Sequence, residues 1–298
     1  MALQLLTPPP VEPVTLAELK EYLRVDPGDT SQDNVILDLA MAARAWAESH
    51  TRRCFVASTW RLLVDFFPGY IDLKLAGANV SSPFVSGSNA ILVGIRYAAI
   101  LPYPPVNGIV AFQYQNANGQ VTPMVEGVDY IADLISNPAR LTPPFGLMWP
   151  VARVVVNAIN IDFALGYATP LTVSSDDGSP PNFYQITSTG YVFQASDIGR
   201  PISIEGGAAN GGTLNTVIRT ISSPPDVNAV LRDPVLSSVS DAAALLVNAP
   251  AGNPRHWYLI KRAISSLVIK WFETRIPDEK TIPQRVKDML SPVRDLRL

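Results

Sequence analysis

Both ends of this chain read as helix, and the roughly two hundred residues between them read as strand and turn. Thr15–Arg53 contains two helical stretches, and Arg255–Leu298 contains two more. A chain built this way must bring its ends together if the four helices are to bury their apolar stripes against one another. Charge is divided along the same line. Arg255–Leu298 holds ten Lys/Arg against five Asp/Glu, and Met1–Pro254 holds thirteen against twenty-one, giving −3 overall. A basic helical tail on an acidic body points to a part that assembles with other chains more than to an enzyme.

The N-terminal helices carry clear start and stop signals. Thr15-Leu16-Ala17-Glu18 is a capping box, in which the Thr15 hydroxyl accepts from the Glu18 amide and Glu18 reaches back. Leu16, Leu19 and Leu23 form one face, and Asp26-Pro27-Gly28-Asp29 stops the helix. A second start at Thr30 or Ser31, with Asp33 at the positive terminus, opens a longer helix through Arg53. Val35, Leu39, Ala43 and Trp46 are its predicted stripe, and many other positions are alanine, which permits close helix–helix approach. At the other end Trp257, Ile260, Ile264, Leu267 and Trp271 repeat at helical spacing. Ile276-Pro277 ends that helix, and Pro283 opens a last one carrying Val286, Met289 and Leu290.

Between these ends the period changes. Trp60, Leu62, Val64 and Phe66 alternate as a strand does, and so do Ile71, Leu73 and Leu75, before a Gly/Ser-rich loop over Gly77–Asn89. Ile109–Tyr114 and Val121–Val125 flank Asn116-Ala117-Asn118-Gly119, a hairpin signal. Val154–Phe163 is another alternating run, leading to Gly166-Tyr167. Thr169–Gly252 is rich in Ser, Thr, Gly, Asn and Pro, with short apolar pieces at Tyr191–Phe193, Pro201–Ile204, Thr216–Ile221 and Val227–Leu231. The expectation is an α+β fold. Helices 15–53 and 255–292 form a bundle, an antiparallel β region spans 55–167, and a small all-β domain at 168–252 is inserted into the host domain of 1–167 and 253–298.

The chemistry-bearing inventory is thin. One cysteine, Cys54, cannot form an internal disulfide, and with only His50 and His256 in the chain it cannot build a zinc site. Asp26, Asp29 and Asp33 lack the spacing and closing Glu of a calcium loop and read as turn and cap residues. Asp176-Asp177-Gly178 reads as a turn. Gly206-Gly207 and Gly211-Gly212 precede no helix, so no phosphate cradle is expected. The expectation is therefore no enzyme, no catalytic residue, no metal and no cofactor. Met1–Leu6 lacks the charged region of a signal peptide, and no apolar run approaches a membrane span, which predicts a soluble protein made in the cytosol without membrane contact.

Taken in order, these pieces resemble the tailed-phage head–tail connector proteins, the neck adaptors beneath the portal. The likeness rests on Val14–Asp26, then Glu48-Ser49-His50-Thr51-Arg52-Arg53 and Thr59-Trp60, Phe67-Pro68 and Leu101-Pro102-Tyr103-Pro104-Pro105. It continues through Asp129-Tyr130, Arg140-Leu141, Trp149-Pro150 and Gly166-Tyr167, and ends in Ile260-Lys261-Arg262-Ala263-Ile264 with Trp271-Phe272-Glu273. Thr169–Gly252 departs from the pattern, and its Phe193, Asp197-Ile198-Gly199-Arg200, Ile202 and Ile204 are similar to small β modules of phage tail and fibre proteins.

The resemblance implies a structural protein of the virion neck, assembled in the host cytoplasm. It would be a homo-oligomer, commonly a ring of twelve, that binds the portal protein and a neck or tail completion protein. Double-stranded DNA would pass through it without sequence readout during ejection. The expected helical core is Leu39, Ala43, Trp46, Ile260, Ile264, Leu267 and Trp271, with the alanine-rich helix face turned to neighbouring subunits. Arg285, Lys287, Arg294, Arg297 and Leu298 would dock on the portal, since a DNA channel gains nothing from tight phosphate contacts. Cutting away Arg285–Leu298, or excising Thr169–Gly252, is expected to leave a folded protein. The competing expectation is a glycan- or surface-binding virion protein that uses Phe183, Tyr184, Tyr191 and Phe193 to stack on sugars.

Overall fold

The computed structural model describes residues 2–68, 98–175, 184–208, 212–221, 223–236, 239–247, 254–275 and 282–294. The expected strand at Ile71–Leu75, the loop Gly77–Asn89, the turn Asp176–Gly178, and Gly211, Phe183, Arg297 and Leu298 lie outside the described residues. The chain divides into two compact units, Met1–Pro8 with Ser58–Leu165, and Pro9–Ala57 with Gly166–Leu296.

Among the described residues the first unit is all β. Strands β1 (Ala2–Thr7), β2 (Ser58–Val64), β4 (Val106–Gln115), β5 (Val121–Pro123) and β8 (Ile159–Leu165) form one antiparallel sheet in the order β1-β2-β8-β4-β5. A second sheet joins β3 (Ala99–Leu101), β7 (Ala139–Thr142) and β6 (Ile131–Asp133). Strand β8 sits at the centre, and Ile159, Ile161, Phe163 and Leu165 are wholly buried at every second position, as the pleat requires. Asp162, opposite Arg61 in the register, takes a two-pronged bond from that guanidinium at 2.6 and 2.7 Å. In the hairpin between β4 and β5, Asn116 Oδ1 accepts from the amides of Asn118 and Gln120, and Gly119 adopts φ +82. Strand β1 lies at the sheet edge and pairs Ala2 with Leu63, a non-local pairing that no local signal announces. One expectation changes here. The strand expected from Val154 begins only at Ile159, because Val154 and Val156 face solvent.

The second unit combines helices with a barrel. Helices α1 (Leu16–Leu23) and α2 (Asp33–Thr51) come from the N-terminal side, α3 (Pro254–Thr274) and α4 (Gln284–Leu290) from the C-terminal side. Thr15 and Glu18 close the capping box, with Glu18 N to Thr15 Oγ1 at 3.3 Å and Thr15 N to Glu18 Oε2 at 3.1 Å. The long helix begins later than expected: Gln32 is its cap residue, and Asp33 in the first turn pairs with Lys20 at 2.7 Å. Its buried stripe runs through Ile36, Leu39, Ala40, Ala43 and Ala47: Leu39 and Ala43 face inward as expected, while Val35 is exposed and Ile36 takes the inward place at the start of the helix.

Strands β9 (Ala168–Ser175), β10 (Gln185–Thr189), β11 (Pro201–Ile204), β12 (Leu214–Thr220), β13 (Asn228–Leu231) and β14 (Val239–Val247) close a barrel in the order β10-β13-β12-β11-β14-β9. Ala168 and Val247 are register partners, so the chain enters and leaves the barrel side by side. Tyr191–Phe193 is not a strand. Phe193 makes a single bridge to Asp226 and drops its wholly buried ring into the barrel core. The Asp197–Arg200 motif is a buried clasp: Asp197 accepts from Gln194 N and Tyr191 Oη and pairs with Arg200, whose Nε donates to Val247 O at 2.7 Å. Gly166, with φ +131, passes so close to Val56 and Ala57 that an added Cβ would lie 2.5 Å from Ala57 N. This crossing is locked by Ala57 N to Ala168 O at 2.8 Å and Ala168 N to Phe55 O at 3.0 Å.

One apolar cluster gathers both ends of the chain. It includes Leu19, Ile36, Leu39, Ala40, Ala43 and Ala47 from α1 and α2, Trp257 to Trp271 from α3, Val286 and Leu290 from α4, and Leu245 and Val247 from β14. Inside this unit Lys261 of α3 donates to Glu18 Oε1 at 2.6 Å and to Asn215 Oδ1 at 3.0 Å, both carboxylate and ammonium being nearly buried. Burial pushes the Lys261 pKa down, and the Glu18 charge opposes that. Removing one member of such a pair strands the other. Lys261→Met should therefore cost about 3 kcal/mol in urea unfolding, with part of that recovered in the Lys261→Met/Glu18→Gln double variant.

Candidate interaction surfaces

The residues expected as helical core lie together. Leu39, Ala43, Ile260, Ile264, Leu267 and Trp271 are buried in the shared cluster, and Trp46 packs against it half-buried. Trp46 also stacks on His50, with ring centres 4.9 Å apart and planes 13° from parallel. The alanine face expected to meet neighbouring subunits is instead consumed inside the chain. Ala40, Ala43 and Ala47 are the positions that let α3 approach α2, so that face is closed to a partner.

The basic residues of the C-terminal segment fall into a surface and an anchor. Arg285 and Arg294 are exposed and Lys287 is half-exposed, whereas Val286, Leu290 and Val293 on the same segment are buried in the core. Cutting away Arg285–Leu298 would thus open the core as well as remove charge. Excising Thr169–Gly252 would likewise remove Leu245 and Val247 from the cluster and Asn215 from Lys261. Both deletions should therefore be destabilising, for a physical reason that the sequence alone does not display.

His50 belongs to the basic surface. Its pKa is lowered first by partial burial and then by the charges of Arg294 and Lys287, which places α4 and the segment after it beside the last turn of α2. The unfolded imidazole takes up a proton near pH 6.5, the folded one only at lower pH. Stability linked to this group is therefore present above that value and lost as pH falls towards the folded pKa. In urea titrations, wild type should lose more stability than His50→Gln between about pH 7.5 and about pH 5.5.

The structure shows two further surfaces. In the first unit, Trp149 stacks on Phe67 at 5.0 Å and meets Phe112 edge-on at 5.9 Å, anchoring the segment between β7 and β8. Around that anchor Phe145 is 103% exposed and Val154 93%, with Leu147, Met148, Val151 and Val156 also exposed. In the second unit, an open groove of about 450 Å³ is lined by the proline-rich stretch before α1, by Leu37 and Met41 of α2, and by Ser203, Glu205 and Ala243–Leu245 of the barrel. The sequence holds a signal for the first surface, a stretch from Phe145 to Val156 with Arg153 as its single charge. The groove is invisible in sequence because it needs β14 in place.

The aromatics considered for sugar stacking form no platform among the described residues. Phe193 is wholly buried, and Tyr191 packs edge-on against it at 5.3 Å while its hydroxyl bonds Asp197. Cys54 is buried, its thiol directed at Val56 O. Among the described residues no three His, Cys, Asp or Glu side chains converge as metal ligands, and no helix is long and apolar enough to cross a membrane.

No protein-family model and no curated protein matches this sequence. Solved structures do. A chain in the neck of an empty gene transfer agent particle, determined with C6 symmetry, is similar over 100% of this chain and 97% of its own, at 15% identity and a TM-score of 0.51. A chain in the virion of a native gene transfer agent particle is similar over the same shares, at 14% identity and a TM-score of 0.51. The α+β fold of this chain, from its first strand to its last helix, is thus one found in the particles of a gene transfer agent.

Proposed function

We propose that this chain is a structural component of the neck of a tailed phage or phage-like particle, a head–tail adaptor and not an enzyme. The observation that carries the reading is the end-to-end likeness to a chain from such a neck, which includes the barrel as well as the helices and sheets. In this reading the helices of both termini form a bundle that serves as the body of the connector domain, 1–167 with 253–298. The barrel, 168–252, projects as a contact for another neck protein.

Copies of the chain, twelve in the adaptor arrangement, close a ring beneath the portal that extends the DNA channel and receives the neck or tail completion protein. The particle is assembled in the host cytoplasm. Double-stranded DNA passes through without sequence readout. Arg285, Lys287, Arg294, Arg297 and Leu298 dock on the portal, and the half-buried His50 stands beside this basic face. Because α4 is anchored in the core, the surface charges can be changed without removing the helix.

The test is charge reversal. Arg285→Glu/Lys287→Glu/Arg294→Glu should fold with an unchanged circular dichroism spectrum. It should bind portal-bearing heads about a hundredfold more weakly, roughly 3 kcal/mol over three interfacial charges. Undiminished binding rejects the docking role.

A further inference from the structure

We infer that the exposed ridge Phe145–Val156 of one copy seats in the groove beside α2 of the next copy, and that this is the ring-forming contact. The inference rests on the adaptor reading above and names the surfaces it requires. A ring of identical subunits joined head to tail needs two different, complementary patches on one chain. The alanine face of α2 cannot be one of them, because it is buried within the chain.

The ridge has the properties of a preformed contact. Phe145, Leu147, Met148, Val151, Val154 and Val156 are all more than half exposed. Six large apolar side chains exposed along one twelve-residue stretch are the mark of an interaction site and not of isolated surface residues. The segment is also held in place. Trp149 is locked in the aromatic cluster, Arg153 N donates to Gln115 O at 2.9 Å, and Asn157 N donates to Asp65 Oδ1 at 2.7 Å. Little ordering entropy is therefore lost when a partner covers it.

The groove has the matching properties. Val11, Leu37, Met41 and Leu245 give it an apolar floor, and its 450 Å³ is of the size that takes a few large side chains. Its exposed acid, Glu205, faces a ridge whose single charge is the exposed Arg153. Apolar area, volume and charge sign all fit a second copy of this chain. A DNA or acidic partner would find neither cation density on the ridge nor a basic lining in the groove.

The experiment is cysteine pairing in assembled particles that carry the full chain as Phe145→Cys/Met41→Cys, under mild oxidation. The expected result is a covalent ladder at multiples of the chain's mass, with neither single variant giving more than a trace. A chain that enters particles but forms no ladder, or that cross-links from position 145 to a different protein, overturns the inference and leaves the adaptor reading standing. A chain missing from particles in its wild-type form overturns the adaptor reading and this inference with it. Phe145→Asp/Val154→Asp supplies a second arm. It should remain folded and monomeric and lose at least tenfold in incorporation, and full incorporation contradicts the contact.

Discussion

The burial of α3 against α1 and α2 is the contact on which the rest of this unit depends. Trp257, Ile260, Ile264, Leu267 and Trp271 share one apolar cluster with Ile36, Leu39 and the alanines of α2, which α4 and β14 close from other sides. Neither stripe is stable exposed to water, since helical stability in proteins comes mostly from packing an amphipathic face. The contact also fixes register. Lys261 must find Glu18 and Asn215 at 2.6 and 3.0 Å, and a slip of one residue in either helix would leave a nearly buried charge unpaired. Glu18 serves twice, since its other oxygen completes the cap of α1.

Much of this was legible from sequence, because helix stripes and caps are local signals. The capping box at Thr15–Glu18, the α3 stripe and the Asn116–Gly119 hairpin need only a window of a few residues, and each stands where the pattern places it. What the pattern missed depends on distant pairing. Strand β1 exists because β2 offers it an edge, and β10 contains a single apolar residue that its barrel neighbours bury, Ile186. The inward places of Ala40 and Ala47 in α2 were not marked, because alanine carries too little hydrophobicity to mark a face yet is the residue that close packing selects. The dependence of the helix core on Leu245 and Val247 had no sequence signal, because those residues read as strand and their partners as helix.

For the interaction surfaces the lesson runs the other way. The basic residues of the C-terminal segment are plain in the sequence, but their separation from the buried Val286, Leu290 and Val293 is structural information, and it decides which variants can test a docking role. Alanine content suggested an outward-facing surface and turned out to mark an inward one. The exposed ridge was visible only as a stretch poor in charge, and it becomes a surface once Trp149 is seen to anchor it. An anchored apolar ridge, an apolar groove and a basic face are three surfaces of different shape or charge on which partners can dock.

Native-state hydrogen exchange on the purified full chain tests most directly whether the distant ends fold as one body. Amides in the middle of α2, at Ala40 and Ala43, and of α3, at Ile264 and Leu267, should open with the same free energy and the same denaturant dependence, as members of one cooperative unit do. If α3 exchanges through a separate, lower-energy opening while α2 stays protected, the two ends of the chain do not share a core, and the account fails at its foundation.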